Sequence, residues 1–463
     1  MKQLFSIDNF LKIYHYQNRK GNFTDRLLST DIYDISTKIL SLNKEIKIAK
    51  ANQDKRKTEL LYNYKTIIIE TKELLLKNKF LEYVKDIKAK RIYFEFDNFL
   101  LHAKTVYTIR ETGLNFFILK KLLFNLKFSF NVKQSNRYEI ANQIRNQLNN
   151  NFPKYVIKTD IKSFYENIPH KELKSKINNN QALSEFSKRL IFKIIKESGL
   201  TKGIPRGVGI SAYLSEIYMK DIDNTLKALP NVIYYARYVD DIIIIFTPSK
   251  KDEVVDYLKN INEIIKHNKL ELNSEKTEKF DLTKAVKSRS KPEFIKCKLE
   301  FLGYKYFFNN IQDYKFNKIT IGLSKKKRIR YIEKMNLTFE EYERMSKFNE
   351  KKARKLLINR LKFLTQNTSL LNAKKDIRIG LNFSNNLLNR DNDLILLDYY
   401  LKKNIKNINC YYKLLVSNGG HIDLNNLKSR LNTFSYENGF KEKKFCKFTR
   451  TQLEETISIW NNL

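Results

Sequence analysis

Three aspartates stand where the sequence predicts strand ends. Asp240 and Asp241 follow the run Asn231-Val232-Ile233-Tyr234-Tyr235-Ala236-Arg237 and precede Ile242-Ile243-Ile244-Ile245-Phe246, which Pro248 stops. Aromatic and β-branched residues on both sides of a short polar break predict a β-hairpin with the acids at or just before its turn. The outgoing run has no apolar–polar alternation, as expected of a strand buried on both faces. Asp160 ends a second strand-like run, Tyr155-Val156-Ile157-Lys158-Thr159. Two neighbouring carboxylates on a buried hairpin repel each other, and a bound cation relieves that repulsion. A polar Asp-Asp turn is the alternative for the pair taken alone.

The elements between these acids are suited to hold an anionic ligand. Gly203-Ile204-Pro205-Arg206-Gly207-Val208-Gly209-Ile210-Ser211 supplies three glycines, a backbone that another group can approach closely. A helix is expected over Ser211–Asp223 with Ser211 as its N-cap. Upstream, Asn131–Arg137 is a polar, basic loop ahead of a helix from Tyr138 to about Asn149. Its Lys133 and Arg137 have the chemistry to clamp a triphosphate. A solvated basic loop is the alternative for each residue alone.

Five elements in order resemble the palm of a reverse transcriptase. They are Asp160 followed five residues later by Tyr165, Gly203–Ser211, Tyr238-Val239-Asp240-Asp241, Leu270-Glu271-Leu272-Asn273-Ser274-Glu275-Lys276-Thr277, and Phe301-Leu302-Gly303-Tyr304. The resemblance implies an α+β right-hand polymerase: fingers, a palm of antiparallel sheet with helices, and a helical thumb. It implies two magnesium ions, with manganese a possible substitute, held by Asp160 and Asp240, with Asp241 a less direct third ligand. It makes Lys276 the general acid for the leaving pyrophosphate and Tyr165 the gate that excludes a ribose 2′-hydroxyl. Ile161, Arg206 and Gly207 join Lys133, Arg137 and Tyr165 around the nucleotide. Tyr238 and the Phe301, Leu302, Gly303 and Tyr304 hairpin would touch the primer. Most relatives carry Pro-Gln-Gly and Ser-Pro where this chain has Pro205-Arg206-Gly207 and Ser211-Ala212. That form is similar to bacterial abortive-infection and antiphage-defence reverse transcriptases, and the chain as a whole resembles the first reverse transcriptase subunit of a type 3 system. Expected partners are then deoxynucleoside triphosphates, a structured non-coding RNA, nascent DNA, a second reverse transcriptase subunit, and possible further copies of the chain. Untemplated or protein-primed DNA synthesis is the first alternative. An RNA-binding scaffold with a vestigial palm is the second.

Composition agrees with a polyanionic partner. Lysine and arginine number 88 against 50 acids, a formal charge of +38 spread along 463 residues. No run of about 18 apolar residues and no signal-peptide pattern occurs, so no membrane is expected and a cytoplasmic setting is, which the resemblance implies is bacterial. Cys297, Cys410 and Cys446 form neither zinc spacing nor a disulfide framework.

Four regions are expected: a basic helical hairpin over 1–90, fingers and palm over 91–315, a thumb over 316–375, and a helical extension over 376–463. In the first, Ile35, Ile39, Leu42 and Ile46, then Leu60, Leu61, Tyr64, Ile67, Ile68, Leu74 and Leu75, predict one apolar stripe joining two helices. A strand is expected over Arg91–Phe96 and a helix over Asn115–Phe128. Further on, the strand Ile319–Ser324 leads into Lys325-Lys326-Lys327-Arg328-Ile329-Arg330, which suits a helix gripping a nucleic-acid backbone. Lys351, Lys352, Arg354, Lys355, Arg360 and Lys362 continue the basic face. Phe440, Phe445 and Trp460 could stack on nucleotides, although such aromatics are more often core.

Overall fold

The computed structural model describes residues 3–21, 23–150, 152–247, 256–282, 298–307, 319–370, 377–408 and 424–461. Pro248, Cys297 and Cys410 lie outside them. The chain forms two units, one of Met1–Ser135, Ile157–Ile244 and Asp252–Glu278, the other of Asn136–Val156, Ile245–Lys251 and Lys279–Leu463.

The first unit opens with α1 (Ile7–Arg19), α2 (Thr30–Ala51) and α3 (Lys55–Lys88), capped by the side chains of Ser6, Ser29 and Asp54. The predicted helical hairpin is present, but its apolar residues do not form one stripe. Leu61, Ile68 and Leu75 are half-buried and Leu76, Phe80, Tyr83 and Ile87 buried, whereas Leu60, Tyr64, Ile67 and Leu74 are exposed. The physical reason is angular: residues at both i and i+1 cannot share one face of a helix turning 100° per residue. Phe10 of α1 and Phe80 of α3 meet Phe117 of α4 (Gly113–Phe130) at ring-centroid distances of 5.7 and 4.8 Å.

The expected strand over Arg91–Phe96 is displaced: the hairpin is β1 (Phe96–Leu101) with β2 (Lys104–Ile109). Ile92 and Phe94 are buried as strand residues would be, but the Phe94 N–H donates to the Glu197 carboxylate at 3.0 Å instead of joining a ladder. α5 (Arg137–Leu148), in the second unit, precedes β3 (Tyr155–Asp160). Then come α6 (Phe164–Asn167), α7 (His170–Asn178), α8 (Glu185–Glu197) and α9 (Ser211–Lys227). β4 (Val232–Tyr238), β5 (Asp241–Phe246), α10 (Tyr257–His267) and β6 (Glu278–Asp281) follow. The sheet order is β4-β5-β3-β6, so β5 and β3 are central. Ile242 through Phe246 are fully buried, as the unbroken apolar run requires.

In the second unit, β7 (Lys298–Phe301), β8 (Tyr304–Phe307) and β9 (Thr320–Leu323) form an antiparallel sheet. α11 (Lys325–Thr365) follows, with non-helical backbone at Asn349. A small sheet of β10 (Asn367–Leu370), β11 (Ile377–Gly380) and β12 (Phe445–Cys446) packs on α11, and α12 (Asn392–Asn407), α13 (Leu424–Asn432), α14 (Tyr436–Lys441) and α15 (Arg450–Ile457) complete the unit. Trp460 is core: its ring lies 5.6 Å from that of Phe363 and its indole N–H donates to the Lys334 carbonyl at 3.0 Å. Phe445 is about half exposed, beside Phe383. Among the described residues no helix is long and apolar enough to cross a membrane.

Candidate nucleotidyl-transfer site

β3 ends on Asp160, and the β4–β5 turn is Val239-Asp240, with Asp241 opening β5. The Ile161 N–H donates to the Asp240 carbonyl at 3.1 Å, which sets the two strand ends side by side. On the other flank the Asn273 N–H donates to the Asp160 carbonyl at 2.7 Å and the Lys162 N–H to Glu271 at 2.9 Å. The backbone of Asp160 is therefore held from both sides, and the Leu270–Thr277 segment predicted from sequence is one of the walls.

The side chains make an anionic cluster. Asp160 is buried; its Oδ2 receives Lys276 Nζ at 2.5 Å, while its buried Oδ1 has no geometric hydrogen-bond partner among the described residues and the Asp240 carboxyl interacts with the Asp160 side chain. Burial first, then the charge of Asp160, pushes the Asp240 carboxyl above its ordinary pKa. Burial, then Asp240, then Asp160 push Asp241 up to about 6, against the opposing pull of Lys276 and Lys158. The hydrogen bond to Asp160 raises the pKa of Lys276, so its ammonium is protonated at neutral pH.

A cation fits this donor set in kind. A buried carboxylate oxygen left unpartnered, facing a second carboxylate that burial and repulsion drive toward protonation, is what a hard divalent ion would complete. Magnesium takes few protein carboxylates and fills its octahedron with water and phosphate oxygens. Among the described residues no group of three or more His, Cys, Asp or Glu is gathered as a self-sufficient metal centre.

The hairpin tip is fixed by a residue that the sequence reading passed over. Val239 has φ +60°, a conformation that costs a β-branched residue about 1–3 kcal/mol. Arg237 Nη1 donates to the Val239 carbonyl at 2.8 Å. The same guanidinium, 3% exposed, meets Asp223 through Nε and Nη2, both at 2.8 Å, and Glu216 at 2.7 Å. Glu216 and Asp223 stand two turns apart on one face of α9, a spacing visible in the sequence. An arginine inside a strand leading to paired acids was the signal available.

Tyr165 lies beneath this cluster, its pKa raised mainly by burial, with a hydrogen bond to Ser215 and the Asp240 charge also acting on it. Arg206 places its guanidinium 4.9 Å from the Tyr165 ring centre and binds the Glu166 carboxylate through Nε at 3.0 Å and Nη2 at 3.2 Å. Gly203, at φ +86°, lies so close to Tyr165 and Glu166 that a Cβ would meet their backbone at 2.7–2.8 Å. Gly207, at φ +99°, would meet the Tyr107 carbonyl at 2.6 Å, and the Tyr107 N–H donates to the Arg206 carbonyl at 2.7 Å. Ser211 is not the expected N-cap: Ile210 takes that position, and the Ser211 hydroxyl donates to the Pro205 carbonyl at 2.7 Å, tying loop to helix.

Asp160, Asp240, Asp241, Lys276, Tyr165, Ile161, Arg206 and Gly207 all belong to the first unit. Ile161 is buried, Tyr238 half-buried, and Lys133 exposed on its loop. Arg137 belongs to the second unit, where its Nε and Nη2 donate to the Leu302 carbonyl at 2.9 and 2.7 Å. Phe301, Leu302 and Tyr304 are buried there.

Residues 109–306 match the family model for reverse transcriptase (RNA-dependent DNA polymerase), a segment that contains every site residue above. The match supports a reverse transcriptase domain of the nucleotidyltransferase kind. Solved structures with similarity include apo telomerase of Candida tropicalis truncated from its C-terminal domain, at 14% identity and TM-score 0.34, covering 50% of this chain and 55% of that one. Telomerase of Candida albicans with a fragment of telomeric RNA is 12% identical at TM-score 0.37, covering 84% of this chain and 66% of that one. Apo telomerase of Candida tropicalis is 13% identical at TM-score 0.37, covering 79% and 66%. No curated protein matches the sequence.

Proposed function

We propose that the chain is an RNA-directed DNA polymerase whose nucleotidyl transfer is carried out at Asp160, Asp240 and Asp241. The observation that carries this reading is the unpartnered, buried Oδ1 of Asp160 beside the Asp240-Asp241 hairpin, inside the segment that matches the reverse transcriptase family. Two divalent ions at such a site would activate the primer hydroxyl and neutralise the developing pyrophosphate charge. The chain's own residues prepare for this. Asp160 and Asp240 present the oxygen ligands, and Asp241 stands behind them. Lys276 neutralises Asp160 in the ligand-free state. The Lys276 ammonium, held beside Asp160, would be the proton donor to the leaving pyrophosphate. Tyr165 closes the floor of the sugar subsite and disfavours ribonucleotides. Arg206, anchored by Glu166, steadies the Tyr165 ring by stacking over it. Lys133 serves the triphosphate and Tyr238 the primer.

The finer assignment is to bacterial antiphage defence, with a dedicated non-coding RNA as template and a second reverse transcriptase as partner. It rests on the Pro205-Arg206-Gly207 and Ser211-Ala212 sequence and on the charge of +38. The test is deoxynucleotide incorporation by the purified chain with its copurifying RNA and magnesium. Incorporation should be lost in Asp160→Ala and Asp240→Ala proteins that retain their circular dichroism. Synthesis that persists in either variant would overturn the site, and synthesis that survives complete removal of RNA would overturn the templated reading.

A further inference from the structure

Four exposed apolar residues of α3 share one spacing, and beside them the hairpin engages the Tyr64 ring, which Lys38 of α2 approaches to 5.0 Å. Leu60, Ile67, Leu74 and Leu81 recur every seven residues and are 62%, 58%, 60% and 42% exposed. Tyr64, Thr71 and Asn78 interleave at the remaining heptad position and are exposed too. The opposite face of the helix, through Leu76, Phe80, Tyr83 and Ile87, is already buried. A strict seven-residue repeat of large apolar side chains over three heptads is the pattern that packs one helix against another. From Leu60 to Leu81 it runs roughly 30 Å at 1.5 Å per residue. Isolated exposed leucines need no explanation, but a continuous seam does.

We infer that this seam pairs with the same seam of a second copy of the chain, antiparallel. Charge at the flanking positions selects that occupant. Glu70 and Lys77 are exposed, lie on the same side of the seam one heptad apart, and form no ion pair among the described residues. In an antiparallel pair Glu70 faces the second copy's Lys77 and Lys77 its Glu70, giving two opposite-charge contacts about one two-fold axis. The layers become Tyr64 with Leu81, Ile67 with Asn78, and Thr71 with Leu74, each occurring twice, and Leu60 at each end lies against the aliphatic stem of Lys85. A parallel pair would set Tyr64, Thr71 and Asn78 each against itself and Glu70 against Leu75. Asn78 and Thr71 lower the stability of the seam.

The mass of the full chain is measured by light scattering after nuclease treatment, across the micromolar range at physiological salt, where repulsion between two chains of charge +38 is screened beyond about 8 Å. A dimer is expected, and the Ile67→Lys/Leu74→Lys variant should be monomeric with unchanged circular dichroism, because both sites are exposed. Glu70→Lys and Lys77→Glu should each weaken the dimer about tenfold, and the double exchange should restore it. A monomeric parent, loss of the dimer on nuclease treatment, or a dimer indifferent to the apolar variant would overturn the inference. Two weakening single exchanges without restoration would overturn the antiparallel arrangement.

Discussion

Arg237 Nη1 lies 2.8 Å from the Val239 carbonyl oxygen, so a buried guanidinium holds the residue whose left-handed backbone turns Asp240 into the site. The same group neutralises Glu216 and Asp223 on α9. Helix and hairpin are thus coupled through one cation, and the position of Asp240 depends on a residue that need not touch substrate.

Arg237→Leu should be among the most damaging single changes in the chain. It strands two carboxylates with little solvent access, which costs about 3–5 kcal/mol when one partner of a buried pair is removed. Denaturant unfolding should show the loss. Arg237→Lys should recover part of the stability but less of the activity, since an ammonium cannot reach Glu216, Asp223 and Val239 together. A variant as stable as the parent would remove this role.

The carboxylate cluster predicts a pH dependence. Asp240 and Asp241 titrate above their ordinary value of 3.8, Asp241 at about 6. The folded state therefore binds protons more tightly than the unfolded one. Their contribution to stability is fully present below pH 3.8 and is lost as pH rises through about 6. Added magnesium should raise the melting temperature little at pH 5 and clearly at pH 8, because protons compete for the same oxygens. Differential scanning fluorimetry against pH, with and without the ion, measures this; equal shifts at both pH values would contradict it.

Tyr165→Ala should relax discrimination against ribonucleotides, read as the ratio of kcat/KM for deoxy- and ribonucleotides. Arg206→Ala should shift that ratio in the same direction but less, because it removes the stacking cation while leaving the ring. Unchanged discrimination in Tyr165→Ala would sink the gate assignment.

Gly207→Ala should destabilise the loop by roughly 1–3 kcal/mol, since an alanine at a left-handed angle is strained and its Cβ would meet the Tyr107 carbonyl. Hydrogen exchange at the Tyr107 amide reports it directly. Protection equal to that of the parent would show that the β2 hairpin gives way without cost.

Much of the site could be read from residue order. Asp160, Asp240 and Asp241 were marked by apolar runs that end on acids, because a buried strand shows itself as unbroken Ile and Phe. Lys276 was reached through its segment, and its contact with Asp160 agrees with a position in that wall. Arg237 escaped because its partners lie on another element, and no local period announces a buried ion triad. The strand expected over Arg91–Phe96 moved to Phe96–Leu101 because a Glu197 carboxylate, distant in sequence, captured the Phe94 amide.

The amino-acid sequence by itself determined the carboxylate-bearing strand ends, the glycine-rich bed between them and the two long N-terminal helices, since each depends on residues within a few positions of one another. Tertiary structure alone decided three further things. Arg206 spends its guanidinium on Glu166, and Arg137 on the Leu302 carbonyl. Of the apolar residues on α3, Leu60, Ile67, Leu74 and Leu81 remain outside. Each is a choice among partners far apart in the chain, made by packing and by the cost of leaving a charge or a donor unpaired.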